Sequence, residues 1–570
     1  MKNHEVAEIL SKIAKALALK DENFFKIRAY ERAARAIKDL PEDIEEIYKE
    51  DSLTNIPGVG EGIAKKVKEY LETGKMSKYD EVTRDIPKSL LTLLNIRDLG
   101  PKTLGILHRE LGIENIEDLK KVIEDGSFQK LEGLGEKSAQ KIMENIKAYE
   151  ERMGKEKRFL IGEVMATVDQ IVKKLKEIDV VSRVAPAGSY RRMKETVGDL
   201  DILLESDNNE KVIKKFKAFP EVKKVLESGE TKTSVIIEGL DIQMDLRVVP
   251  KESFGAALMY FTGSKDHNVR IRSIALKKGL KVNEYGVFKS DRSVAGKTEE
   301  EIYKRLKLQF IPPEIREDRG EIEKALEGKI PELIGYNDIK GNLHTHTKYS
   351  DGENTIRELV QKSIDSGYSY LGISDHSKTA SYANGLSVDD LKKQCEEIDK
   401  INKEVDNFRI LKGIECDILP DGNLDYEEEV LKSLDFVIGA IHTGFKKNVT
   451  ERMEKALENP YLTILAHPTG RLISKREGYD VDLGRILDKA SEEDKILEIN
   501  AYYDRLDLDE NNARDAYKKG IKLIINTDAH NLRMFDWMVL GVGIARRAWL
   551  PRNAIINTYK LEKFLNIINK

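Results

Sequence analysis

Two groups of side chains in this sequence have the types and spacing that chemistry on phosphates requires. In VGDLDILLE (197–205), Asp199 and Asp201 stand two apart on a predicted strand, so both carboxylates project from one face. A third carboxylate, Asp245 in IQMDLRVV, belongs to a later predicted strand that could lie alongside. Three such carboxylates can hold two Mg²⁺ ions about 4 Å apart, one activating an attacking hydroxyl and one stabilising a leaving phosphate. Just upstream, GSYRR (188–192) supplies a Gly-Ser turn and a forked cation suited to a triphosphate. A lone D-x-D is usually a pair of surface strand residues. The spacing G-S-x(8)-G-D-x-D followed by a strand Asp is far more specific.

The second group is imidazole-rich. Six of the nine histidines lie between 344 and 530, and nearly every one directly follows a short apolar run. His344, His346 and Asp351 occur in NLHTHTKYSD, His376 in SDH, Glu415 in GIEC, His442 in AIHT, His467 in AHP, and Asp528 with His530 in TDAH. Strand ends of a parallel barrel converge on one rim, so these nine N and O donors would meet at one site. One such His is more often structural, but nine in register are not explained that way. Nine donors exceed the needs of one ion and suit a cluster of two or three with positions left open for water. Arg471, soon after AHP, is read as a surface residue or a phosphate contact.

The elements that must position these residues are legible in outline. From about 158, β-branched runs such as TSVIIEGLDIQMDLRVV alternate with Lys-rich helical stretches, which predicts an α+β domain. Residues 311–334 have a Pro- and charge-rich linker composition with a helix inside. Beyond them YLGISDH, RILKGIECDI, DFVIGAIHT, LTILAHP, KILEIN and KLIINTDAH alternate with helical segments, the rhythm of a parallel sheet and most economically a barrel. Residues 1 to about 150 read as short amphipathic helices joined by glycine turns. Three segments there share one form: IPGVGEGIAKKVKEYL with Gly58 and Gly60, IRDLGPKTLGILHREL with Gly100, and LEGLGEKSAQKIMENI with Gly133 and Gly135. Each leaves backbone N–H groups free at a helix start, a site that takes a phosphate and ignores the base. One is an ordinary helical hairpin; three favour non-specific binding of a DNA backbone.

Composition sets the outer bounds. The 570 residues favour several domains, and 40% hydrophobic with 35% charged residues gives real cores. There is no apolar run of about 18 residues and no signal-peptide core, which predicts a chain without a membrane span, in the cytoplasm. Cys395 and Cys416 are too few for a disulfide framework, so metal chemistry must rest on His, Asp and Glu. The net charge of −5 divides into +3 over 1–320 and −8 over 321–570, as if the two parts had different partners.

GSYRRMKETVGDLDILL together with YFTGSKDHNVRIRSIALKKGLKVNEYGVF (260–288) resembles the palm and thumb of a family X DNA polymerase. The histidine pattern resembles the polymerase and histidinol phosphatase (PHP) family, and the combined order is that of bacterial and archaeal family X enzymes. The resemblance implies a multidomain α/β chain: a lyase-like helical domain with a helix-hairpin-helix (1–80), fingers (81–155), palm (156–250), thumb (251–316), linker (317–336) and a distorted (β/α)7 PHP barrel (337–570). It implies Asp199, Asp201 and Asp245 as Mg²⁺ ligands, and Ser189, Arg192 and Gly198 as phosphate contacts. Tyr260, Phe261 and Gly263 would wall the sugar, while Asn268 and Arg272 would read the minor-groove edge. Lys265 stands where an animal member has Asp, and is taken as a nucleotide contact. Lys66 falls on the family's Schiff-base lysine, with Gly62 at a neighbouring position that is basic in the animal enzyme. Of the PHP ligands, His344, His346, Glu415 and Asp528 would hold one ion, Glu415, His442 and His467 a second, and Asp351, His376 and His530 a third, as Mn²⁺ or Zn²⁺. The implied function is gap filling in base-excision repair on gapped or primer-template DNA with deoxynucleoside triphosphates. A 3′→5′ exonuclease, with abasic-site cleavage or 3′-phosphatase action beside it, would occupy the PHP domain of a monomeric, nucleoid-associated protein. The alternatives are a small-molecule phosphatase tethered to a nucleotidyltransferase, and a barrel that is only a metal-stabilised scaffold.

Overall fold

The computed structural model describes every residue except 1, 21, 39, 41–43, 85, 88, 89, 91, 92, 95, 97, 98, 132, 133, 154–156, 569 and 570. It divides into two compact units, Met1–Lys157 with Val269–Lys277, and Arg158–Asn268 with Lys278–Lys570. No helix among the described residues is long and apolar enough to cross a membrane.

The first unit is helical. Val6, Leu10, Ile13 and Leu17 recur at helical spacing along Lys2–Leu19 and are buried in one core with Ala33, Ala34 and Ile37 of Phe24–Lys38. Glycine turns precede the helices Glu61–Thr73 and Pro101–Leu111, with Gly60 and Gly100 as their N-caps. Gly135 precedes Glu136–Met153, and Gly133 lies outside the described residues.

The second unit opens with a five-stranded mixed sheet in the order Val181–Pro186, Leu200–Ser206, Gln243–Val249, Lys232–Ile237, Val222–Ser228. Val164, Val168, Ile171 and Leu175 form the apolar stripe of helix Ile161–Lys176, and they share a core with Leu200, Ile202, Leu204, Met244 and Leu246 of the sheet. Asp199 lies just before its strand rather than on it, because pairing begins at Leu200. The segment expected to link the two halves is packed, not solvated. Arg316 is fully buried, pairs with Glu299 and donates to the Ile311 carbonyl, and Ile322 and Ala325 of helix Glu321–Leu326 are buried with it.

The last 230 residues carry two parallel sheets. One comprises Gly341–Asn342, Tyr370–Ile373 and Arg409–Lys412; the other comprises Glu415–Asp417, Ile438–Ala440, Ile464–Leu465, Ile496–Asn500 and Lys522–Asn526. Their residues are buried almost throughout, as parallel strands covered on both faces require. Single parallel bridges, Thr345 to Ala529 and His376 to Glu415, join the sheets at the strand ends. These are the ends that carry the histidines.

Candidate active sites

In the five-stranded mixed sheet, the parallel pairing of Leu200–Ser206 with Gln243–Val249 makes Asp201 and Asp245 direct neighbours in register. Adjacent parallel partners share a face, so the two carboxylates are brought together by backbone pairing alone. Gly188 lies in the left-handed region at φ +61°, and a Cβ there would fall 2.7 Å from the Asp201 Oδ2. Only glycine lets the GSYRR turn approach that carboxylate. Burial, and then the charges of Asp199 and Asp245, push the Asp201 carboxyl up to about 7. Burial would raise Asp245 too, but bonds from Gln243 (2.9 Å) and Lys232 (3.0 Å) outweigh it and hold that carboxyl low. Crowded carboxylates, one of them proton-retaining, fit divalent cations that would relieve their repulsion.

Around them, Arg191 forks onto Glu299 at 2.7 and 2.9 Å and donates to Thr262 Oγ1, a structural clamp. Arg192 donates to Glu317 at 3.1 Å and to the Thr262 carbonyl. Ser189 is half-buried on the short helix Gly188–Arg191, and Gly198 is exposed beside Asp199. Tyr260 and Phe261 pack edge-to-face at 5.2 Å, with the Arg247 guanidinium over the Phe261 ring. Gly263, at φ +71° and ψ −151°, adopts a backbone open essentially to glycine alone and ends the helix Phe254–Thr262. Asn268 donates to the Tyr260 carbonyl at 2.7 Å, and Lys265 and Arg272 lie exposed on helix Lys265–Lys277. In the first unit, Lys66 is half-buried and its Nζ donates to the Gly62 carbonyl at 2.6 Å.

The C-terminal site is built around Glu415. Its carboxylate is 1% exposed, and its Oε1 faces Nε2 of His467 at 3.1 Å and Nε2 of His344 and His442 at 3.3 Å each. Its Oε2 lies 2.9 Å from His376 Nδ1 and 3.7 Å from His346 Nε2. Asp528 Oδ1 stands 3.2 Å from His346 Nε2 and 3.4 Å from His344 Nε2, and Asp351 Oδ2 is 3.4 Å from His530 and 3.7 Å from His376. All nine expected donors are therefore gathered. Burial alone would raise the Glu415 carboxyl, yet His344, His442 and His376 hold it well below the usual range. Burial would lower His344, but Asp528, Glu498 and Glu415 hold it well above the ordinary imidazole value. His346, pressed by burial and by His530 and His376, is pushed down to about 4.

Donors aimed at one another without bonding are the mark of a metal site. His344 Nε2, both nitrogens of His346, His376 Nδ1 and Glu415 Oε2 are buried and form no hydrogen bond. Three sets of donor atoms within 4.8 Å of one another occur among the described residues, all here: His346, Asp351, His376 and His530; His344, His346 and Asp528; His376, Glu415 and His442. This grouping differs from the expected one. His346 sits with the Asp351 set as well as the Asp528 set, and His467, outside the three sets, shares Glu415 Oε1 with His442, its ring 5.5 Å away.

Three side chains at or behind this site have no mark in the sequence, and a fourth, Arg471, is more buried than a surface reading expects. Glu498 accepts from His344 Nδ1 at 2.8 Å and Asp417 from His442 Nδ1 at 2.6 Å, fixing each ring so that Nε2 faces the cluster. Arg505 places its Nε 3.9 Å from Asp528. Arg471, expected as a surface residue or a phosphate contact, is mostly buried, ion-paired with Glu195 and bonded to the Arg505 carbonyl. The alternation of strand and loop announces a first layer of ligands, but nothing local marks which distant carboxylate lies behind it.

Models of known families match four stretches of the chain: a helix-hairpin-helix domain over 1–76, a SAM-like helix-hairpin-helix tandem over 90–148, a DNA polymerase beta thumb over 257–317 and a PHP domain over 342–502. The DNA polymerase/3′-5′ exonuclease PolX of Bacillus subtilis is 39% identical over 568 residues, 99% of this chain and 98% of that protein. The chain belongs to the PolX family, family X DNA polymerases with a C-terminal PHP domain. Within that PolX framework, rat DNA polymerase lambda is 26% identical over 347 residues, 55% of this chain and 56% of its own length. A probable phosphatase of Thermoanaerobacter sp. (strain X514) is 28% identical over 243 residues, 39% of this chain and 93% of its own. The neighbouring carboxylates Asp201 and Asp245 and the imidazole cluster thus lie in one chain of the PolX family.

Proposed function

We propose that this chain fills short gaps in duplex DNA by DNA-directed nucleotidyl transfer, in base-excision repair, and that its C-terminal site trims 3′ ends by hydrolysis. The observation that carries the reading is the pair of separate acidic sites in one chain, Asp201 beside Asp245 and five imidazoles turned on Glu415. Asp199, Asp201 and Asp245 would hold Mg²⁺; the nine C-terminal donors would hold Mn²⁺ or Zn²⁺. Such cations, when bound, neutralise phosphoryl oxygens and acidify the attacking hydroxyl or water.

The chain's own residues do the remaining work. Ser189, Gly198 and Arg192 line the triphosphate, with Arg192 exchanging Glu317 for phosphate, and Lys265 adds charge. Tyr260, Phe261 and Gly263 close the sugar side, while Asn268 and Arg272 read the minor groove. Gly60, Gly100 and Gly135 have open space where a Cβ would stand and no positive φ, so neither packing nor the turn demands glycine there. Close approach of a DNA phosphate to the helix starts does. Abasic-site cleavage and removal of 3′-phosphates fit the same cluster.

One assay tests this. A one-nucleotide gapped duplex should be extended by one residue with Mg²⁺ and deoxynucleotides, and shortened from the 3′ end with Mn²⁺ and no nucleotides. The likeness to the Thermoanaerobacter phosphatase favours a second reading, a small-molecule phosphatase. Rapid phosphate release from free phosphomonoesters with no DNA shortening would establish it instead. Metal-dependent melting with neither activity would leave the C-terminal site a scaffold.

A further inference from the structure

Tyr382 is 63% exposed, among the most exposed large hydrophobic side chains of the second unit. It stands on a loop whose small residues anchor it while Lys378, Thr379, Ser381 and Asn384 are exposed. Ala380 and Ala383 are buried, the Thr379 N–H donates to Asp425 Oδ2 at 2.7 Å, and the Leu386 N–H returns to the His376 carbonyl at 2.9 Å. The loop is therefore tied to a ligand strand end, and its one large apolar group is left uncovered. The phenol ring lies 6.1 Å from the His376 ring and 6.3 Å from the His442 ring, at the edge of the cluster. Around that cluster the side chains of His344 and His346 are 0% exposed, whereas those of Asp351, His530 and His442 are 31%, 24% and 12% exposed. The two rings that Tyr382 faces, those of His442 and His376, are 12% and 7% exposed, so it stands on a partly open side of the cluster.

A phosphodiester entering there brings a sugar and a base with it. An exposed aromatic face one ring away from the ligands matches the flat face of a base, and base–aromatic stacking tolerates any sequence. We propose that Tyr382 is the stacking surface for the base of the 3′-terminal nucleotide in the C-terminal site. The inference rests on the hydrolytic reading above and names its substrate more closely: a 3′ nucleotide that still carries its base.

The test compares two single-stranded oligonucleotides, one ending in thymidine and one in a tetrahydrofuran abasic residue, as Mn²⁺-dependent substrates of the full chain. The unsubstituted protein should prefer the thymidine end in kcat/KM by about tenfold, within the range that stacking supplies. Tyr382→Ala should bring that ratio near one, chiefly by raising KM for the thymidine end, and Tyr382→Phe should restore it. A preference unchanged in Tyr382→Ala, or lost equally in Tyr382→Phe, would overturn the proposal. If the unsubstituted protein cut neither end, the hydrolytic reading itself would fall, which is a different result from intact hydrolysis without base preference.

Discussion

Arg471 and Glu195 form a partly buried ion pair that joins the C-terminal sheets to the palm, with a second contact at 3.4 Å between Arg471 Nη1 and Glu195 Oε2. The same guanidinium donates to the carbonyls of Arg505 and Leu506. Nearby, Arg547 donates to the Arg192 carbonyl at 2.8 Å and to Glu317 and Glu510. Arg471→Ala leaves a carboxylate and two carbonyls unpaired and should cost about 2 kcal/mol. Arg471→Lys should recover less than half of that, since an ammonium cannot fork. Urea unfolding of the full chain measures both.

The proton on Asp201 sets a pH dependence for the palm. Its carboxyl sits at about 7, so below that pH a cation must displace a proton. Mg²⁺ affinity should fall by up to tenfold for each pH unit below about 7, and level off above it. Asp199→Asn removes one of the charges that raise Asp201, so the proton-linked step should move to lower pH. Calorimetry in buffers of differing ionisation enthalpy would detect the released proton.

Glu299 is held by two arginines, Arg316 within the matched thumb segment 257–317 and Arg191 outside it. Burial would raise its carboxyl, but Arg316 and Arg191 prevail and hold it at about 2, against 4.5 when free. A carboxyl lowered on folding stabilises above its unfolded value, and that stabilisation drains away as pH falls from about 4.5 to about 2. Thermal midpoints should decline through this window. Glu299→Gln should be less stable at pH 7 and show a flatter acid limb.

The layer behind the ligands matters as much as the ligands. Glu498→Gln and Asp417→Asn keep the shape but weaken the acceptors that orient His344 and His442. Each should raise the Mn²⁺ concentration needed for half-maximal 3′ trimming by roughly 10- to 100-fold. Trimming at saturating Mn²⁺ should largely recover.

How far the sequence carried the site follows from where the information lies. Asp201 and Asp245 were legible because strand periodicity and a fixed spacing mark them, and the nine C-terminal donors because nearly every one follows an apolar run. Asp199 was misplaced by one residue, since alternation does not show where pairing begins. The partner of Arg471, and Glu498 and Asp417 themselves, could not be found, because these contacts span 276, 154 and 25 residues and no local pattern records a contact between separate elements. The apparent linker had a solvated composition, yet its charges are paired: Arg316 with Glu299, and Glu321 with His267 at 2.8 Å.

The central claim is that one chain carries two independent cation-dependent sites, and the most direct measurement compares Asp199→Ala and His344→Ala on the same gapped duplex. Asp199→Ala should abolish one-nucleotide extension and keep Mn²⁺-dependent 3′ trimming, and His344→Ala should do the reverse. Loss of both activities in either variant, with its thermal midpoint unchanged, would contradict the account.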